Sequence, residues 1–142
     1  MILISHRGNT SGIEHDNENN PKYINAALKQ GYDVEIDVWF DNGWWLGHDA
    51  PKYETDIEYL TDSRLWIHCK NLKALAYMQN TKLNYFWHDK DLYTLTSHGW
   101  IWAYPGSPIV AGTQSIAVLP EIFNLKIDLF SGICSDNIKD YD

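Results

Sequence analysis

Glu35 and Asp37 stand two positions apart in Asp33 to Phe40, where Val34, Ile36 and Val38 alternate with Glu35, Asp37 and Trp39. That alternation is the period of a β-strand, and it sets both acids on one face. Two carboxylates side by side resist joint ionisation unless a cation lies between them. Oxygen donors favour Mg²⁺ or Ca²⁺, with Mn²⁺ a further candidate. His68 and Lys70 repeat the spacing in Leu65 to Lys70. His68 is thus a candidate third metal ligand, and Lys70 a candidate partner for a phosphate. His6 and His48 can serve as an acid–base pair, because imidazole titrates near neutrality. Arg7 adds a planar fork suited to phosphate or carboxylate. A solvated strand face would explain the acids alone, and a hydrogen-bonded core histidine would explain His68 alone. Lys70 resists such an account, since a buried ammonium is costly without an anion.

These residues need elements that bring them to one edge. Ile2 to Ser5 is a short apolar run that stops at His6-Arg7-Gly8, and residues 9–19 are polar and Asn-rich, hence a loop. Asn20 and Pro21 mark a helix start, Ile24, Ala27 and Leu28 share a face, and Gly31 closes it. Asp41-Asn42-Gly43 predicts a tight hairpin after the second strand, leading to His48 and Asp49. Asn71 can cap a second helix, Asn84 to His88 reads as a strand, and a short helix is expected from Asp91 to Gly99. Trp100 to Tyr104, Ser115 to Leu119 and Phe130 to Ser135 complete the strands. Strands alternating with helices argue a parallel sheet. Ligands of such sheets bind at the C-terminal ends of the strands. Those ends carry His6, Arg7, Glu35, Asp37, His68, Lys70, His88 and Asp136.

Composition narrows the partners. The chain has 142 residues, enough for one domain spanning 1–142, and a formal net charge of −8. That field repels a phosphate backbone, so nucleic acid is not an expected partner, whereas a divalent cation is attracted. No apolar run approaches the length of a membrane span, and the first residues are too short for a signal core, so a cytoplasmic location is expected. Cys69 and Cys134 show no metal spacing and read as reduced core thiols. The turn after the first strand lacks the glycine-rich pattern of nucleotide folds.

Taken together, the motifs resemble the glycerophosphodiester phosphodiesterase family, within the wider group of phosphatidylinositol-phospholipase-C-like phosphodiesterases. The resemblance rests on His6-Arg7-Gly8, Glu18-Asn19, Glu35-Ile36-Asp37-Val38, Asp41-Asn42-Gly43 and His48-Asp49, and on the closing Gly132-Ile133-Cys134-Ser135-Asp136. The third strand departs, reading His68-Cys69-Lys70 where the family usually offers Glu-x-Lys. The chain is also short by roughly two βα units against a full barrel of about 250 residues. The resemblance therefore implies a reduced or incomplete TIM-type (βα) barrel with about six to seven parallel strands.

It further implies a metal-dependent phosphodiester hydrolase acting on a glycerophosphodiester-like or sugar or polyol phosphodiester. Glu35, Asp37 and His68 would hold the metal. His6 would act as base and His48 as acid, with Arg7 and Lys70 neutralising phosphoryl charge. Asp49, His88, Trp102, Tyr104 and Asp136 form the expected substrate-binding set. Two other functions fit the residues: a sphingomyelinase-D-like lyase forming a cyclic phosphate, and a non-catalytic phosphodiester-binding module. A homodimer that covers exposed strand edges is the expected assembly.

Overall fold

Alternating apolar and polar residues give strand after strand along this chain, and only two segments have the caps and spacing that sustain an α-helix. The computed structural model describes residues 1–142. Its elements run β1 (Ile2–His6), α1 (Pro21–Lys29), β2 (Asp33–Phe40), β3 (Trp44–Leu46), β4 (Tyr53–Thr55), β5 (Leu65–Cys69), α2 (Leu72–Met78), β6 (Tyr85–Phe86), β7 (Tyr93–Leu95), β8 (Ile101–Ala103), β9 (Ser115–Val118) and β10 (Gly132–Ser135). The Asn20 side chain accepts from the Lys22 amide at the start of α1, and Asn71 accepts from the Ala74 amide at the start of α2. Each cap satisfies a backbone donor that a helix end leaves free.

All ten strands form one sheet. Parallel pairs give the order β6-β5-β2-β1-β10-β9-β8, while β3, β4 and β7 pair antiparallel at the flanks. β1 pairs with β2 only as far as His6 opposite Glu35, and β3 pairs with β2 from Val38 onward. The chain leaving β3 therefore passes over the end of β1, which is how His48 reaches Arg7.

The reduced or incomplete TIM-type barrel expected from the sequence is not the architecture. The sheet is mixed, and only two short α-helices accompany its ten strands. α1 joins β1 to β2, and α2 joins β5 to β6; the later connections carry no α-helix. The helix expected from Asp91 to Gly99 is instead β7. Its residues alternate, with Thr94 buried between the exposed Tyr93 and Leu95, and β-branched side chains favour such a pleat over a helix. The connection before β9 contains Pro105, Gly106, Pro108 and Gly112, which break a helix. The connection before β10 begins with a single 3₁₀ turn, Pro120–Ile122. β4 has no counterpart in the sequence expectation.

The two faces of the sheet bury different things. One face of β2 and β5 carries Val34, Ile36, Val38, Leu65, Ile67 and Cys69, packed with Ile24, Ala27 and Leu28 of α1 and Ala74 and Met78 of α2 in a cluster of 13 buried residues. On the other face, Ile4, Trp66, Phe86, Trp102, Ile116, Val118 and Cys134 meet in a second cluster drawn from β1, β5, β6, β8, β9 and β10. Side chains from strands at both ends of the parallel order touch only because the sheet curls. The Phe86 and Trp102 rings lie 4.9 Å apart, although no strand pairing joins β6 to β8. Backbone donation from the Ser97 amide to Tyr85 O at 2.8 Å ties the two ends nearby. This apolar cluster is the floor beneath the polar groups. Both cysteines are free and buried. No helix is long and apolar enough to cross a membrane.

Candidate active site

One strand step above the floor, the same concave face turns polar. Ile4 gives way to His6 on β1, Trp66 to His68 on β5, Phe86 to His88 after β6, Trp102 to Tyr104 after β8 and Cys134 to Asp136 after β10. β2 supplies Glu35 and Asp37 to the same face, with Glu35 opposite His6 and Asp37 opposite His68 in register. His6, Glu35, His68, His88 and Tyr104 border a cavity of ≈ 370 Å³, lined also by Arg7, His48, Lys70 and Asp89. The sequence motifs thus converge, although His6 and Asp136 are 130 positions apart.

Asp37 is fully buried and is the most heavily surrounded charge. Arg7 Nε lies 3.1 Å from its Oδ2, and His48 Nδ1 lies 3.4 Å from the same oxygen. His68 Nδ1 is 3.3 Å and Lys70 Nζ 3.9 Å from Oδ1. The Asn19 side chain donates to Oδ2 at 2.9 Å and accepts from the Asp37 amide at 2.9 Å. Burial alone would raise this carboxyl; the imidazoles of His48 and His68 and the guanidinium of Arg7 outweigh it and hold it well below the usual range. Glu35 stands between two imidazoles, with His6 Nε2 3.8 Å from Oε2 and His68 Nδ1 3.7 Å from Oε1. Burial works against a charged His68, yet Asp37 and Glu35 lift its pKa to about 9.

His6 is oriented from behind. Its Nδ1 donates to Asp136 Oδ1 at 2.8 Å. Burial pushes the imidazole down, but the Asp136 hydrogen bond and the Glu35 charge prevail and its pKa is raised. The buried Asn9 amide then links two anchors, donating to Asp136 Oδ1 at 2.8 Å and to Glu18 Oε1 at 3.0 Å. Glu18 in turn accepts from Arg7 Nη1 at 3.2 Å, and Arg7 Nη2 reaches His48 Nε2 at 3.5 Å. Arg7 and Asn19 both adopt left-handed backbone (φ 56° and 63°). That conformation is uncommon for residues other than glycine, and an arginine held there is strained.

The loop that carries His48 is fixed at its start. Gly47 has φ 154°, and a Cβ there would fall 2.1 Å from the Ala50 carbonyl oxygen, so only glycine fits. Its carbonyl accepts from Trp39 Nε1 at 2.6 Å, and its amide donates to Asp37 O at 3.1 Å.

The remaining expected residues divide. Trp102 is buried in the cavity floor, and Tyr104 stacks on His88 at the rim with ring centroids 4.1 Å apart. His88 Nδ1 lies 2.9 Å from Thr94 Oγ1, and burial with the nearby His68 charge lowers its pKa. Asp136 lies behind His6 and is not among the cavity-lining residues. Asp49 is almost fully exposed, 3.7 Å from His48 Nε2, and also lies off the cavity. Asn9 and Thr94 had no sequence signal. Asn9 falls in a polar loop, and Thr94 in a segment expected to be helical.

A divalent cation fits the donors present. Glu35, Asp37 and His68 offer ligand atoms within 4.8 Å of one another. Glu35 Oε2 and Asp37 Oδ1 are buried with no hydrogen-bond partner. Buried polar atoms are rarely left unpaired, and two such carboxylate oxygens beside an imidazole are a hard-cation donor set. Compared with family models, with curated proteins and with solved structures, the chain finds no match in any of the three.

Proposed function

We propose that the chain is a metal-assisted phosphodiesterase, related to the glycerophosphodiester phosphodiesterases that its motifs resemble. The observation that carries this reading is the pair of buried carboxylate oxygens, Glu35 Oε2 and Asp37 Oδ1, that make no hydrogen bond, beside a cavity lined by His6, His48, Arg7 and Lys70. An anionic substrate needs local positive charge in a protein of net charge −8, and Arg7 and Lys70 place two fixed cations at the cavity wall. Glu35, Asp37 and His68 would hold the cation. When bound, it supplies Lewis-acid stabilisation of the charge that builds on a phosphoryl oxygen.

The histidines take opposite proton roles. Asp136 holds the Nδ1–H tautomer of His6, which leaves Nε2 with its lone pair toward the cavity. His6 accordingly takes the proton of the attacking water. His48, at the loop end of the cavity beside Arg7, protonates the departing alcohol. Trp102 and Tyr104 offer an aromatic wall to one of the two alcohols.

The test is hydrolysis of bis(p-nitrophenyl) phosphate with Mg²⁺, Ca²⁺ or Mn²⁺, before and after chelation. Turnover that needs the cation is expected, with a fall of about 10²–10⁴ in kcat for His6→Ala, and a like fall for His48→Ala on a diester with an alkyl leaving group such as glycerophosphocholine, since p-nitrophenolate departs without a proton. Wild-type rates in both variants, or no metal-dependent turnover on any diester, would refute the reading.

A further inference from the structure

Arg7 and His48 form a wall with space on both sides. Beyond the cavity already described lies a second one of ≈ 500 Å³, bounded by the same Arg7 and His48 and by His15, Asp49 and Lys52. It lies between the loop after β1 and the loop joining β3 to β4. Both loops are pinned: Lys52 N donates to Leu46 O at 2.9 Å, and the Tyr53 hydroxyl donates to Asp16 O at 3.3 Å. The space is therefore built before any ligand arrives.

Its chemistry differs from that of the first cavity. The first has Phe86, Trp102 and Tyr104 in its wall, while the second has one apolar residue among its eight. The charges there offset one another. Glu18 is committed to Arg7 and Asn9 and also faces His15 Nδ1 at 3.7 Å. Asp49 Oδ1 lies 3.7 Å from His48 Nε2, and Lys52 Nζ lies 5.2 Å from the Tyr53 ring centroid. The His15, Asp49 and Lys52 side chains are nevertheless exposed and make no hydrogen bond. Free donors and acceptors without net charge suit a neutral, hydroxyl-rich ligand better than an ion or an alkyl chain.

We propose that this trough binds the second alcohol of the substrate, and that this alcohol is a sugar. The inference rests on the phosphodiesterase reading and extends it. A phosphodiester has two arms, and its phosphorus at the Arg7–His48 wall sends one arm into the aromatic cavity and the other into the trough. The substrate is thus an asymmetric diester, with its sugar arm held by His15, Asp49 and Lys52.

Two diesters sharing a p-nitrophenyl arm test it: methyl p-nitrophenyl phosphate and the diester of p-nitrophenyl phosphate with the 6-hydroxyl of glucose. The expected result is a kcat/KM for the glucose diester roughly tenfold above that for the methyl one, the effect of one or two added hydrogen bonds. In His15→Ala/Lys52→Ala that ratio should fall toward one; both side chains are exposed, so the fold is not at stake. A second readout needs no turnover. Glucose 6-phosphate should shift the His15 ring resonances in the magnetic resonance spectrum, and methyl phosphate should not. Equal rates on both diesters, a ratio unmoved in the double variant, or an unmoved His15 ring would each overturn the trough. Loss of all turnover with a shifting His15 ring would refute the phosphodiesterase and uphold the sugar site.

Discussion

The two halves of this chain are built by different means. From β1 to β5 and α2, the outer face of the sheet is sealed by two capped helices over a cluster of 13 buried residues. From β6 onward, irregular connections cover the outer face, and the clusters beneath them hold three buried residues each, one of them Tyr32 from the first half. Leu92, Leu95, Val110, Phe123 and Leu129 of this second half are largely exposed. The division extends to the site. The first half supplies His6, Arg7, Glu35, Asp37, His48, His68 and Lys70, while the second supplies the wall of Phe86, Trp102 and Tyr104, the rim groups His88 and Asp89, and Asp136 behind His6. Charged groups that must hold their positions stand on the half whose packing can hold them. The half that shapes the cavity tolerates looser support.

The sharpest way to break this contrast is at its most enclosed charge. Asp37→Asn keeps the shape of the side chain but removes the charge that Arg7, His48 and His68 face. Turnover is expected to fall by about 10³ or more, as for other electrostatic elements of an active site, and metal binding followed by calorimetry should weaken with it. Next in size is a comparison of cores by urea unfolding. Ile36 is fully buried, and Ile36→Ala should cost about 3–4 kcal/mol. Ile127 is only half-buried, in the small clusters of the second half, and Ile127→Ala should cost about 1 kcal/mol. Equal losses would erase the distinction between the halves.

An effect that depends on pH lies where the halves meet, at His6 and Asp136. The raised His6 pKa contributes stability that is complete below 6.5 and is lost as pH rises through the folded value. The depressed Asp136 pKa contributes stability that is present above 3.8 and is lost as pH falls through the folded value. The pair therefore stabilises most between those two values. Asp136→Asn should cost about 1–3 kcal/mol near pH 5, and the loss should shrink above neutrality. A loss that does not vary with pH, measured by urea unfolding across that range, would show that the ion pair does not stabilise the fold.

Particular residues show how much of this was legible beforehand. The caps Asn20 and Asn71, the hairpin at Asp41-Asn42-Gly43, and the shared face of Glu35 and Asp37 follow from patterns a few residues long. Strand period, cap chemistry and turn residues are local properties, and a sequence displays them directly. The architecture does not follow from such patterns, for the opposite reason. Tyr93–Leu95 is a strand because Thr94 packs inward beside His88 and β7 pairs with β8, and neither contact is visible within those three residues.

What the sequence determined by itself is which side chains share a strand face and where each helix starts. Only the tertiary structure decided that the sheet curls until Phe86 meets Trp102, that Asp136 stands behind His6, and that Asn9 ties Asp136 to Glu18. It alone opened a second cavity beyond the Arg7–His48 wall. The physical reason is range. Alternation repeats every two residues, whereas curl, register and enclosure depend on contacts between separate strands, as far apart in the chain as β1 and β10, and those are settled by packing the whole chain at once.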